Sequence, residues 1–226
     1  MRFQPVNPNP SLPARHTLYL ATTGGGKSQA VLQNPVIPWN KKGCRIIMWD
    51  QAGDYPGIHC ESRAGFLKHL RAGIAGGTGF RVAFSGPATE ENFEWWCEVV
   101  WSILDGNHET HIIAEELSAV CKTAGKATPN AAVLLNQCRK YGGIFHGVSQ
   151  KPQEVAKTYY DQAAFKYIGQ QKGVAMRRKM AAELGITPEE VGALEQLQFY
   201  LDDGTAKAPD IVKLKYKKPT GIKWAA

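Results

Sequence analysis

The chain has 226 residues, of which 43% are hydrophobic, and a formal net charge of +7. That is enough apolar material for one α/β domain with a full core, and the positive surplus favours polyanionic partners over acidic ones. No apolar run of about 18 residues exists, which excludes a membrane-spanning helix, and the five scattered cysteines (Cys44, Cys60, Cys97, Cys121, Cys138) form no C-x-x-C pair, which argues against a disulfide framework or zinc ribbon and for a reducing compartment.

Residues 1 to about 14 are polar and proline-rich, with no apolar core of a signal peptide. His16 to Leu20 reads as a buried strand. It runs into "ATTGGGKS", where Ala21 opens the pattern, Thr22, Thr23, Gly24 and Gly25 fill it, and Gly26-Lys27-Ser28 close it. Glycine is costly to order, so three in a row need a reason. The P-loop supplies one: bare backbone N–H groups turn together toward a phosphate, a lysine reaches the β- and γ-phosphates, and a serine hydroxyl meets Mg²⁺. Ala21 departs from the usual first glycine but is still small. Ser28 to Gln33 starts a helix.

Cys44 to Asp50 is the next β-rich run, followed by the turn-like Asp50-Gln51-Ala52-Gly53-Asp54-Tyr55. Phe80 to Phe84 is another strand. Thr89 to Leu104 is a helix with Phe93, Trp96, Cys97, Val100, Trp101 and Leu104 on one face, so its tryptophans read as packing, with Trp95 exposed. His111 to Ala114 is a strand that ends in Glu115-Glu116. A P-loop enzyme needs an acid there for the Mg²⁺ shell and another to orient water; Glu115 suits the metal and Glu116 the water. The loop "CKTAGKATP" follows, with Lys122 and Lys126. Thr128-Pro129 then caps a helix that stops near Gly142, with Arg139 at its end. Ile144 to Ser149 is a strand followed by Gln150, whose amide can meet a γ-phosphate or the lytic water. Thr187-Pro188-Glu189-Glu190 is a capping box. The lysine-rich tail, about 212–226, reads as a last strand followed by a mobile end. Alternating strands and helices imply one domain over 1–226: a mostly parallel sheet with helices on both faces and ligands at the carboxyl strand ends.

Together, "ATTGGGKS", "IIMWDQAGDYPG", "HIIAEE" and "CRKYGGIFHGVSQKPQEV" resemble the FtsK–HerA family of DNA-pumping ATPases, and "FKYIGQQ" and "LEQLQFYLDDG" resemble that family's last strands. The small size is most similar to genome-packaging ATPases of tailless icosahedral phages with an internal membrane, the tectivirus type. The resemblance implies a three-layer, RecA-like P-loop core that binds ATP and Mg²⁺. It further implies a hexameric ring at a capsid vertex, in the host cytoplasm during assembly and on the virion, driving double-stranded DNA into a preformed shell. Arg139 would then be an arginine finger for a neighbour, Gln150 a γ-phosphate sensor, and the loop of Lys122 and Lys126 would face the pore.

Two local signals carry nothing further. Asn40-Lys41-Lys42-Gly43 lacks the acid of a guanine-reading N-K-x-D, and "HETH" at His108 to His111 is one residue short of H-E-x-x-H. A P-loop kinase, a protein-export ATPase and a non-enzymatic nucleotide-binding scaffold are the competing functions. The acid pair and the basic surplus favour the DNA motor over a kinase.

Overall fold

The computed structural model describes residues 4–121, 124–205 and 208–225. The chain runs through β1 (Thr17–Leu20), α1 (Lys27–Gln33), β2 (Arg45–Trp49), β3 (Gly57–Cys60), α2 (Arg63–Ala75), β4 (Phe80–Phe84), α3 (Glu90–Ser102), β5 (Thr110–Ala114) and α4 (Leu117–Val120). It continues through α5 (Pro129–Gln137), β6 (Gly143–Ser149), α6 (Lys157–Gln162), β7 (Phe165–Gly169), α7 (Val174–Leu184), α8 (Pro188–Gly192), β8 (Gln198–Asp202), β9 (Asp210–Lys213) and β10 (Ile222–Trp224).

Among the described residues these strands form one sheet in the order β10-β3-β4-β2-β5-β6-β1-β7-β8-β9. All neighbours are parallel except β7–β8 and β8–β9. The inner strands are apolar along their whole length because both sheet faces are covered. Alternate residues of each strand feed two separate cores. Ile47, Trp49, Ile112 and Leu20 point into the larger one, under α2, α3 and α5 to α8. Tyr19, Ile46, Met48 and Ile113 point into the smaller one, under α1 and the Ile37–Trp39 segment. Helices thus lie on both faces, as expected, but unequally.

The tail is not a mobile end. Gln29 on α1 exchanges two hydrogen bonds with Lys217, donating to its carbonyl at 2.9 Å and accepting from its N–H at 2.8 Å. One turn on, Gln33 donates to the Lys215 carbonyl at 2.8 Å. The chain is thereby strapped across the smaller face, from β9 at one sheet edge to β10 at the other, where Trp224 pairs with His59 of β3. The proline-rich start is also held: the Asn9 N–H donates to the Lys140 carbonyl at 2.6 Å, and the Gln4 amide to the Tyr141 hydroxyl at 2.6 Å.

One local expectation changes and one holds. Trp95 is half-buried, edge-on to Phe66 and Phe84, with the Arg63 guanidinium 5.0 Å over its ring. His111 of the "HETH" stretch lies inside β5, stacked on His146 with ring nitrogens 3.1 Å apart, and burial lowers its pKa to about 4.

The start of α5 carries a further correction. Thr128 occupies the cap position, yet its hydroxyl makes no cap hydrogen bond and is buried without a partner. Glu94 of α3 does the capping instead, its carboxylate accepting from the N–H groups of Asn130 at 2.8 Å and Ala131 at 3.3 Å. Glu94→Ala is therefore expected to lower stability by roughly 1–2 kcal/mol, while Thr128→Val costs almost nothing. Thermal unfolding of the two variants checks the contrast; equal losses would return the cap to Thr128.

Candidate active site

The three glycines have separate reasons. Gly24 and Gly26 are left-handed, with φ of 75° and 98°, a region that side chains rarely adopt. Gly25 has no positive φ, but a Cβ there would stand 3.0 Å from both Ala21 Cβ and the Thr22 carbonyl. A Cβ on Gly26 would also meet Leu197 Cδ2 at 2.5 Å. Ala21 fits because its methyl fills the space that Gly169 leaves open on β7; a Cβ on Gly169 would lie 2.9 Å from it. No side chain caps α1 and no acid lies in its first turn, so the N–H groups that open the helix are left without a side-chain acceptor and suit an anion.

The topology determines what meets this loop. β6 lies between β1 and β5, with Leu20 level with Ser149 and Ala114 level with Gly147. Gln150, the next residue after β6, therefore stands between the P-loop and the acid pair. Its amide donates to Glu116 Oε2 at 2.6 Å, and its amide oxygen accepts from the Thr23 hydroxyl. Glu116 is held in left-handed backbone, with φ 49°, a strained state of the kind that clusters at functional sites. Its other oxygen accepts from the Ser118 hydroxyl at 2.6 Å.

Glu115 is differently placed. It is only 9% exposed and accepts a hydrogen bond from the Tyr55 hydroxyl. Burial raises its pKa to about 8, with Asp50 and Asp54 pushing the same way and Lys27 opposing. The Lys27 ammonium lies 3.4 Å from the Thr22 carbonyl; burial lowers its pKa, while Glu115, Glu116 and Asp54 hold it up. One lysine thus faces three carboxylates.

Sequence reasoning missed the acid beside Ser28. Its hydroxyl donates to Asp54 Oδ2 at 2.7 Å, whereas the Glu115 carboxylate is taken by Tyr55. The signal was present in "DQAGDY". Fully buried Asp50 accepts from the N–H groups of Gly53 and Asp54, both at 2.9 Å, and of Tyr55 at 3.2 Å. It thereby shapes the turn that delivers Asp54 to Ser28 and Tyr55 to Glu115. Burial raises the pKa of Asp50 to about 6. Among the described residues no three His, Cys, Asp or Glu side chains gather into a metal cage. Hard oxygens of Ser28, Asp54 and Glu115 nevertheless suit Mg²⁺, which commonly binds through one or two carboxylates plus substrate phosphates.

Arg139 does not lie at the carboxyl strand ends with the P-loop. It precedes β6, at the amino ends of the strands, and its guanidinium donates to the carbonyls of Pro10, at 2.8 Å, and Leu12. The P-loop of the same chain lies at the other end of β6, beside its carboxyl end. Lys126 is exposed in the loop between α4 and α5, and Lys122 lies outside the described residues.

The raised pKa of Glu115 makes a signed prediction for the nucleotide-free protein. The unfolded chain ionises Glu115 near its ordinary 4.5, the native site only near 8. Wild type should thus lose stability relative to Glu115→Gln as pH rises from about 4.5 to about 8, reaching a few kcal/mol. Denaturant midpoints of both proteins across that window check it; parallel curves would mean that Glu115 is ionised in the native site.

No protein-family model matches the chain. It is 35% identical over 202 residues to protein P9 of Pseudoalteromonas phage PM2, a match covering 87% of this chain and 89% of that one. The fold is similar to that of the genome-packaging NTPase B204 from Sulfolobus turreted icosahedral virus 2, solved with AMPPCP. That likeness has a TM-score of 0.68 and 16% identity, covering 91% of this chain and 100% of the other. It is also similar to the bacterial conjugative coupling protein TrwBΔN70 (TM-score 0.63, 11% identity, 98% and 91% covered) and to VirB4 of Thermoanaerobacter pseudethanolicus (0.62, 12%, 89% of each). With a third of its residues shared along almost its whole length, the chain belongs to the family of phage PM2 protein P9, and its fold is that of the FtsK–HerA-type P-loop ATPases.

Proposed function

We propose that the chain is an ATPase whose hydrolysis drives double-stranded viral DNA into a preformed capsid. The observation that carries this reading is the Gln150 bridge, which joins the P-loop at Thr23 to the acid at Glu116. In this reading a phosphate cradle, a base for water and an amide that senses the γ-phosphate lie together at adjacent strand ends, and the bridge supports that reading. Membership in a phage protein family supports the viral setting, and the likeness to the B204 packaging NTPase supports the cargo.

In this reading residues 21–28 cradle the triphosphate and Lys27 neutralises the transferred phosphoryl group. Mg²⁺ arriving with the nucleotide would offset phosphate charge, held by Ser28 and by Glu115 or Asp54. Glu116 orients and deprotonates the attacking water. The motor works as a homo-hexameric ring on vertex proteins of the capsid, in the host cytoplasm during assembly and then on the virion. Arg139 serves the neighbouring subunit's nucleotide, and Lys122 and Lys126 contact DNA phosphates from a pore loop.

Purified protein should hydrolyse ATP faster when double-stranded DNA is added, and Lys27→Ala should abolish turnover. Glu116→Gln should still bind ATP while slowing hydrolysis by about 10²–10⁴-fold; full activity in this variant, with loss in Glu115→Gln, would reverse the two roles.

DNA binding should be independent of sequence and weaken steeply with salt, because phosphate contacts release counterions. If the double change Lys122→Ala, Lys126→Ala leaves that binding intact, the loop has no part in it.

Arg139→Ala alone should be inactive. Mixed with inactive Lys27→Ala it should regain activity at interfaces that pair one intact P-loop with one intact arginine. Co-assembled mixtures that stay inactive at every ratio would confine Arg139 to clamping residues 10–12.

A further inference from the structure

A cavity of about 450 Å³ opens beside the P-loop, and it is walled by parts of the chain far apart in sequence. Gly26 and Lys27 form its phosphate side, Asp54 stands at one flank, and Leu197 together with Tyr216 and Pro219 of the strap forms its apolar side. We propose that this cavity is the nucleobase site and that Tyr216 is its stacking face. The inference rests on the P-loop being a nucleoside triphosphate site, as proposed above.

Three observations support it. The cavity shares Gly24, Gly26, Lys27 and Ser28 with the phosphate cradle, so it gives a ligand whose phosphates lie on the loop adjoining space for its other end. Tyr216 is 69% exposed on a segment that is otherwise pinned. Burying an aromatic ring is worth far more than leaving it in water, and Tyr presents a broad flat face at low rotamer cost. The segment carrying it is held on both sides: Gln33 binds the Lys215 carbonyl, and Gln29 binds both backbone groups of Lys217. The ring therefore starts from a fixed backbone, which reduces the ordering cost of stacking.

The opposite wall is also preset. Leu197 is a non-glycine residue in left-handed backbone, with φ 64°. Its N–H donates to the Gly25 carbonyl at 3.3 Å, its carbonyl accepts from the Leu214 N–H at 2.9 Å, and its side chain fills the space above Gly26. One strained residue thus joins the P-loop, the turn before β8 and the start of the strap. Gln196 reinforces the joint by donating to the Gly24 carbonyl at 2.9 Å. The occupant of such a slot is a flat aromatic group attached to phosphates, held by stacking against Tyr216 with Leu197 and Pro219 closing the sides.

The experiment compares ATP with inorganic tripolyphosphate by calorimetry on the full chain. Tripolyphosphate reports the P-loop alone, and ATP reports the loop and the base pocket together. Tyr216→Ala should weaken ATP binding by roughly tenfold and leave tripolyphosphate unchanged, and Tyr216→Trp should restore ATP binding. The exposed position of Tyr216 makes misfolding a poor explanation for a loss confined to ATP. Unchanged ATP affinity in Tyr216→Ala overturns the assignment, and so does an equal loss for both ligands, which would make the tyrosine a general prop of the loop. If wild type binds neither ligand, the P-loop reading itself falls and takes this one with it.

Discussion

The Gln150 amide spans the gap that β6 opens between the P-loop strand and the acid strand. Without β6, Thr23 and Glu116 would sit on neighbouring strand ends with no intermediary. With it, the two chemical halves of the site are separated and then joined by one side chain with a donor at one end of its amide and an acceptor at the other. The P-loop thus has a direct hydrogen-bonded route to the acid. Parallel pairing makes this possible, since it sends the carboxyl ends of β1, β2, β5 and β6 to one edge.

Charge at that edge is managed by unequal burial. Glu116 is half-exposed, committed to Gln150 and Ser118, and free of the apolar core. Glu115 is enclosed with Tyr55 and is held neutral to about pH 8. Adjacent residues of the same type thereby become chemically distinct, one a ready acceptor and the other a reserve of negative charge that a cation can draw out. Asp50 adds to the rise at Glu115, and its carboxylate holds three backbone N–H groups of the turn. That turn places Asp54 at Ser28.

Much of this was legible because the signals are local. The strand from Phe80 to Phe84 falls where its apolar run predicts, the aromatic face of α3 is buried as its spacing requires, and Thr187 with Glu190 forms the capping box that their spacing implies. What escaped is non-local. Glu94 caps a helix that starts 35 residues later, and nothing in either segment alone shows it. Asp54 reads as an ordinary turn residue until Asp50 is buried beneath it. β10 has three residues and pairs with β3, a strand far earlier in the chain, so no periodicity marks it. The separation of Arg139 from Gln150 is non-local too: all of β6, Gly143–Ser149, runs between them, from the amino to the carboxyl ends of the strands.

The position of β1 has a consequence for how the chain acquires its structure. Both its neighbours, β6 and β7, come from the second half of the sequence. β2, β3, β4 and β5 can pair among themselves as soon as they are made, but β1 must wait, although it is synthesised first. Its closure is a long-range event, and such events are slow. The strap that covers the smaller face comes later still. A nascent or truncated chain can therefore hold a partial sheet with apolar Tyr19 and Met48 still uncovered, and without the loop that grips phosphate. The P-loop therefore takes its final shape only with the complete sheet, since β1 is flanked by β6 and β7 and the Thr22 N–H donates to the Gln170 carbonyl just beyond β7.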